Sequence, residues 1–469
     1  MKSFRGRAVL VTLACPLVLA GCASLPLEQG RAGADALVRS RVAPGVASAA
    51  ARAARAEQDA RIAQDISAWL GRPLSVDVAV RVALLRNPGL QSQIAELGLS
   101  AADVFEAGRL HNPQLELALL KPRGDAVGNK ASAGLTLGFT DLLLKRATTR
   151  IAAASHERTQ AAVAEAVLAL VSETQRAWVD AVAAAQRVAV RQSIDEVASL
   201  GADLAARYQA AGNISRLDLQ LQQAAASDAR LALQRARADA VDAQSSLQQL
   251  LGLSAGESWQ LPQALPMPTG EPQLDFAVLR HRARIERLDL IGARRQVAVL
   301  EQRLALTRGT RWLGNADLGL ALEREPDGSR RTGPKLSLEL PLFQQGQGRL
   351  TRDAALLVQA RAAQQRIEVG LDAELQQSLQ RIDIARTAVE GYRAGLIPQR
   401  EAIVAQLQQR TNQMLTDTFS LLLAKQQEHA AYEGYVDAVQ DYWRARVAVL
   451  RVSGTQLVAA LPVAQEDQP

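Results

Sequence analysis

Three observations predict a mainly α-helical chain that also carries a small membrane β-sheet. The order of elements is duplicated, four short segments alternate cleanly as strands do, and two helical runs are too long for any single globular core. The first copy reads NPQLELALLK over 112–121, ASAGLTLGF over 131–139, then helix from about Asp141. The second reads NADLGLALER over 315–324, KLSLELPLF over 335–343, then helix from about Gly346. A self-similarity of this kind decides the architecture before any local assignment. Leu90 and Leu290 correspond, and so do Phe139 and Phe343, so the two copies keep register with only small insertions.

Each long run follows directly from its strands. From Asp141 to about Ala210 and from about Gly348 to about Asn412 the only proline is Pro398, and helix formers dominate. Runs of about 65 residues would span on the order of 100 Å. Each ends in a turn, at Ala211-Gly212-Asn213 and around Thr411–Thr416, and returns as a shorter helix. Pro398 predicts a kink or a break between stacked helices. Ahead of the hairpin, residues 75–86 and 90–109 have helical spacing and are separated by Asn87-Pro88-Gly89, which cannot continue a helix. The chain divides accordingly into a leader (1–21), a partly helical Ala/Arg-rich tether (22–64) and a first repeat (65–251). That repeat holds a hairpin over 113–139, a long helix over 141–210 and a return helix over 214–251. A Pro-rich linker (252–274) leads to the second repeat (275–455), with its hairpin over 315–343, long helices over 347–412 and return helix over 417–452; 456–469 is a tail.

Composition narrows the class. An apolar content of 48% with 22% charged residues argues against disorder, while 3% aromatics and abundant alanine suit helices that approach closely over long distances. The formal charge of +6 includes Lys2, Arg5 and Arg7, which leave with the leader; acids and bases then alternate along the helices, and no basic run with interleaved aromatics points to nucleic acid. A basic start, an apolar stretch from Ala8 to Ala20 and Leu19-Ala20-Gly21-Cys22 read as an export signal. The last four residues resemble the bacterial lipobox. That resemblance implies cleavage after Gly21, acylation of Cys22 with palmitate-type chains and, with Ala23 following, sorting to the outer membrane of a Gram-negative cell. Cys15 is lost with the leader, which leaves no disulfide in the mature chain. No stretch of 18 apolar residues follows Cys22, so any crossing of a membrane falls to strands.

The strands fit that role. Leu135, Leu137 and Phe139 oppose Gly134, Thr136 and Gly138; Leu318, Leu320 and Leu322 oppose Gly319, Ala321 and Glu323; Leu336, Leu338 and Leu340 oppose Ser337 and Glu339. Segments of about nine residues suit a tilted strand crossing a bilayer. Four strands cannot close a barrel, and an open edge in hydrocarbon costs several kcal/mol per unpaired group, so other subunits must close it. An eight-strand barrel from two chains is filled by its own side chains, which makes twelve strands from three chains the smaller answer that leaves a lumen. Phe139, Trp312 and Phe343 lie where strand meets helix, either as an aromatic belt or as packing residues. The opposite tips, KPRGDAVGNK and EREPDGSRRTGPK, read as polar external loops.

Four groups of residues together resemble the outer-membrane efflux protein family, the TolC-type channels, over roughly 65–455. They are Asn87-Pro88-Gly89-Leu90, Leu340-Pro341-Leu342-Phe343 with Gly346, Gly348 and Arg349, Gly212 through Asp218-Leu219, and Asp441-Tyr442-Trp443-Arg444-Ala445-Arg446 with Leu450. The resemblance implies a homotrimer with a twelve-stranded barrel in outer-membrane lipid, continued by long helical hairpins as an α-barrel through the periplasm. Such a protein is the passive exit duct of a tripartite efflux or type I secretion-like system, partnered by a periplasmic adaptor and an inner-membrane transporter. It also implies acidic rings at the periplasmic constriction near the second hairpin turn. Here Ser420 stands where Asp218 stands in the first copy, and Met414 where the first has Gly212. Asp417, one turn away, is the candidate substitute for the gate acid, with simple helix capping as its other reading. Gly212, Asp218, Asp417 and Ser420 are therefore the candidate gate or adaptor-contact residues.

No catalytic constellation is expected. His111, His156, His281 and His429 are scattered without metal spacing, and Gly346-Gln347-Gly348 lacks the remainder of a phosphate loop. Neither cofactor nor metal is implied. The rival reading is a lipid-anchored periplasmic coiled-coil scaffold or adaptor, which accounts for the rods and lipobox but not for the strands.

Overall fold

The computed structural model describes residues 31–53, 60–121, 129–268 and 275–454. Cys22 and the leader lie outside the described residues. Among the described residues five helices precede the first hairpin: α1 (Arg31–Arg39), α2 (Pro44–Arg52), α3 (Ala60–Leu70), α4 (Val76–Arg86) and α5 (Pro88–Ala107). Asn87 caps α5 by accepting from the Leu90 N–H at 3.0 Å, and its amide donates to the Leu250 carbonyl at 3.0 Å. The hairpin β1 (Gln114–Leu120) and β2 (Lys130–Gly138) runs into α6 (Phe139–Ala210), and α7 (Arg216–Leu251) returns. The second copy repeats this as α8 (Phe276–Glu286), α9 (Leu288–Thr310), β3 (Ala316–Arg324), β4 (Arg330–Leu338), α10 (Gln347–Glu390), α11 (Ile397–Asn412) and α12 (Thr418–Ser453).

α6 has 72 residues and spans about 110 Å. Its surroundings change along its length. Between Ala161 and Ala184 it is buried on nearly every side, with Val171, Val179 and Val182 at 0% exposure, because α4, α5 and α12 all pack there. Towards both ends it buries a single stripe, as at Ile194, Ala198, Gly201 and Ala205. The rod thus passes through one core rather than having a core of its own.

Residues 31–52, expected as part of a tether, pack into that core. Val38, Val42, Val46, Ala49 and Ala50 are buried, α2 lies against α4, and α1 lies against α6. Alanine and valine suffice because helices with small faces approach closely. The Pro-rich linker is likewise packed as far as Pro268. Leu74 donates its N–H to the Gln260 carbonyl at 2.8 Å, the Trp178 indole donates to the Leu74 carbonyl at 2.6 Å, and the Trp443 indole donates to the Pro266 carbonyl at 2.8 Å. The linker's first residue, Gly252, ends α7 at φ 64°, where a Cβ would lie 2.5 Å from the Arg86 carbonyl oxygen. The two repeats are thereby strapped together around their middle.

At Pro398 the regular α-helix is interrupted. A π-helical segment, Gly391–Leu396, joins α10 to α11 and places Pro398 in the first turn of α11. The wider turn absorbs the missing N–H and the ring's clash with the preceding turn. β4 also differs from expectation, since it runs over 330–338 rather than 335–343. Pro341 cannot donate to a ladder, whereas Pro334 is tolerated because β4 is an edge strand. The loop expected to be external shrinks in this hairpin to a tight turn at 325–329, with Gly328 at φ 87°.

Beside the central core, charged groups from four elements converge. Arg287 pairs with Asp289 at 2.6 Å and Glu374 at 2.8 Å, and Arg41 donates to the Glu286 carbonyl at 3.0 Å. Glu165 of α6 faces this group, and its carboxyl is pushed up to about 7 by burial first and Asp289 second, against Arg451, Arg287 and Arg41. Between its ordinary value of 4.5 and about 7 the folded state holds a proton that the unfolded chain releases, so stability falls as pH rises through that window. Glu165→Gln is expected to match wild type near pH 4.5 and to exceed it at pH 8 by on the order of 2–3 kcal/mol. Thermal unfolding of the detergent-solubilised protein at both pH values checks this, and a variant with the wild-type pH dependence would refute it.

Candidate functional site

The four strands form one antiparallel sheet in chain order, β1-β2-β3-β4. The register aligns residues of one kind on each face. Leu115↔Leu135↔Leu320↔Pro334 and Leu137↔Leu318↔Leu336 lie on one face; Glu116↔Gly134↔Ala321↔Gly333 and Ala118↔Ser132↔Glu323↔Arg331 lie on the other. The leucine face is open to the surroundings, with Leu117 at 72%, Leu336 at 60% and Leu320 at 49% exposure. An apolar patch of this extent marks contact with lipid or protein.

The polar face is the concave one. Lys335 on β4 reaches Glu116 on β1 at 3.1 Å, over two intervening strands. In a flat sheet these strands would be about 14 Å apart. The contact requires a strong curl and the side-chain-free surface that Gly134, Gly319 and Gly333 provide. The sheet is therefore a wall segment, apolar outside and polar inside, with no described partner along the outer edges of β1 and β4. At its helical end Trp312 and Phe343 are 55% and 92% exposed, and Arg311 stacks over Trp312 at 4.6 Å.

The far ends of the rods hold the four candidate gate residues. In both copies the turn is the same. Gly212 and Asn213 donate to the Gln209 and Tyr208 carbonyls at 2.9 and 2.8 Å; Met414 and Leu415 donate to the Thr411 and Arg410 carbonyls at 3.0 and 2.9 Å. Gly212 takes φ 75° and Met414 takes φ 57°, a left-handed conformation that costs a non-glycine residue about 1 kcal/mol. Met414 is also 94% exposed.

Asp218 and Ser420, matched by position, belong to reciprocal pairs. Ser215 caps α7, its Oγ accepting from the Asp218 N–H at 3.1 Å while donating to the Asp218 carboxylate at 2.7 Å. Asp417 caps α12, accepting from the Ser420 N–H at 2.9 Å and the Ser420 hydroxyl at 2.6 Å. The serine and aspartate have exchanged places, so the second tip keeps its acid and moves it to the cap. The Ser420 hydroxyl, followed by the backbone N–H, holds the Asp417 carboxyl below its ordinary range, and it is a carboxylate at neutral pH. Tyr208 and Phe419 pack edge to face with centroids 5.9 Å apart, which sets the two tips side by side. Comparing positions singly conceals the exchange; comparing the i, i+3 pairs shows it.

Among the described residues no His, Cys, Asp or Glu group could hold a metal ion, and no helix is long and apolar enough to cross a membrane.

Residues 79–253, most of the first repeat and the first two residues of the linker, match the model of the family described as outer membrane efflux protein. No curated protein matches the chain. Among solved structures, the Campylobacter jejuni CmeC outer membrane channel aligns with a TM-score of 0.69 at 15% identity, covering 82% of this chain and 86% of that one. A membrane protein from Pseudomonas aeruginosa aligns at 0.65 and 20% identity, with 81% and 93% covered. The outer membrane protein VceC from Vibrio cholerae aligns at 0.64 and 15% identity, with 81% and 96% covered. The fold is thus that of these proteins, helical hairpins with an attached strand portion, and the sequence resemblance and the fold agree.

Asp417→Ala is expected to expose the Ser420 amide and weaken the start of α12 by about 1 kcal/mol, whereas Asp417→Asn keeps the cap. Amide hydrogen exchange at 418–421 separates the two; equal protection in both variants would refute the capping role.

Proposed function

We propose that this chain is the outer-membrane exit duct of a tripartite efflux or type I secretion-like system. Three copies would close a twelve-stranded barrel and continue as a helical tunnel through the periplasm, anchored also by lipid on Cys22. The single observation that carries this is the curled four-stranded sheet, leucine outside and polar inside, with two open edges. In hydrocarbon such edges need strands from neighbouring copies. The length of α6 supports the reading, since a rod of about 110 Å reaches across much of a periplasm. Transport through such a duct would be passive, with energy and cargo choice supplied by an inner-membrane transporter reached through a periplasmic adaptor at the helix tips.

A lipid-anchored scaffold would have no use for a leucine face outside the helical body. The two readings separate on detergent extraction. A duct is expected to require detergent even after removal of the lipid, and to migrate as a heat-modifiable trimer. A monomer released without detergent would overturn the duct.

Asp417 would serve as the gate acid, with three copies forming a carboxylate ring at the second tip. Asp417→Asn keeps the cap while removing the charge, so lowered cation selectivity and weaker block by multivalent cations are expected in planar bilayers. Unchanged conductance and block in that variant would remove Asp417 from the gate.

A further inference from the structure

We infer that the outer face of the sheet holds a phosphorylated, multiply acylated lipid of the outer leaflet, in a groove along β2 closed by Arg324 and Arg330. This inference rests on the proposed placement of the sheet in the outer membrane. Three features point to it. Arg324 and Arg330 are the last paired residues of the β3–β4 hairpin, directly opposite each other and on the leucine face rather than the polar one. Both are exposed, and among the described residues no carboxylate lies within ion-pair distance of either. Like charges placed directly across a strand pair repel, so an unneutralised arginine pair there works against the hairpin. The neighbouring acids are committed elsewhere, Glu323 and Glu325 both to Lys130 at 3.1 and 3.2 Å.

The second feature is shape. On β2 this face carries Ala131 and Ala133, while β1 carries Leu117 and Leu119 and β3 carries Leu322. Small residues between leucine ridges leave a groove of about 540 Å³, and Arg324 and Arg330 line its outer end. An acyl chain matches an apolar channel, and a phosphate at its end matches two guanidinium groups that each donate two parallel hydrogen bonds.

The third feature is depth. From Ala316 to Arg324 the strand advances eight residues, which is about 27 Å along its axis and about 20 Å of height at the usual tilt of barrel strands. Trp312 and Phe343 mark the helical edge of this band, so the arginine pair lies at the opposite edge, at the level of outer-leaflet headgroups. The charge, the groove and the depth select one occupant, a lipid bearing phosphate and chains together.

Native mass spectrometry of the full-length, detergent-purified protein tests the site, with bis-phosphorylated lipid A and its dephosphorylated form as probes. Wild type is expected to retain the phosphorylated lipid preferentially. Arg324→Gln/Arg330→Gln should retain it about tenfold less, the loss of two charge-assisted contacts. Ala133→Phe fills the groove without altering charge and should also lower retention. Equal retention of both lipids by wild type, or of the phosphorylated lipid by wild type and the double variant, would overturn the site. Protease protection of the strands in liposomes reports the membrane placement separately. A protected protein without lipid preference refutes the lipid site alone, and an unprotected one refutes the placement and the site together.

Discussion

Unpaired backbone is the constraint on which the rest of this structure depends. Every internal ladder of the sheet is made, and the order β1-β2-β3-β4 leaves one edge on β1 and one on β4. Both edge strands carry inward charge, Glu116 on β1 and Lys335 on β4, but these two groups are paired with each other, and no helix is described over either edge. Pro334 on β4 removes one donor and leaves the remainder of the edge competent to pair. A sheet with a leucine exterior and two competent edges is unfinished as a monomer. Its curl, fixed by the reach of Lys335 to Glu116 over a glycine-floored face, gives the direction in which it would be completed.

The same incompleteness governs the helices. α6 is buried on nearly all sides for only its middle third, where α4, α5 and α12 surround it, and shows a one-sided stripe beyond. Stripes of alanine and glycine, as at Ala198, Gly201 and Ala205, bring backbones close without a large core. The strapping at mid-height anchors both rods: Trp178 donates to the carbonyl of Leu74, just ahead of α4, and Trp443 to that of Pro266 in the linker ahead of the second repeat. Rods anchored at the middle are free to serve as strand supports at one end and as tips at the other. The duplication is thus mechanical as well as historical, because each repeat supplies one hairpin, one rod and one return helix to the same strap.

What the sequence made legible follows from how strongly each signal is tied to a period. Alternation has period two, so Leu318, Leu320 and Leu322 declared their face without any partner, and the register only added which leucines meet. The span of β4 was not legible because alternation continues through Leu340 and Leu342, while Pro341 and the tight turn at Gly328 decide where pairing occurs. The docking of 31–52 was hidden for the opposite reason. Its buried side chains are valine and alanine, which carry little periodic contrast, and their burial depends on the equally small face of α4. The linker misled through composition, since prolines that forbid helix do not forbid packing, and Pro266 supplies a carbonyl to Trp443.

The two tips show why residue-by-residue correspondence is the wrong unit at a helix start. A cap is a pair, and its hydrogen bonds are the same whether the hydroxyl is at the cap and the carboxylate three residues on, or the reverse. Ser215–Asp218 and Asp417–Ser420 are those two solutions. Helix formation is indifferent between them, but charge placement is not. Moving the carboxylate from the third helical position to the cap shifts it about 4.5 Å along the axis towards the turn. It also brings the charge nearer to Met414, which holds the left-handed turn that glycine holds in the first copy, at a conformational cost that glycine would avoid. A strained, fully exposed methionine and a displaced carboxylate on the same turn change the tip's outer surface while leaving its fold intact. The asymmetry between the repeats therefore resides in what the second tip presents, and not in how it is built.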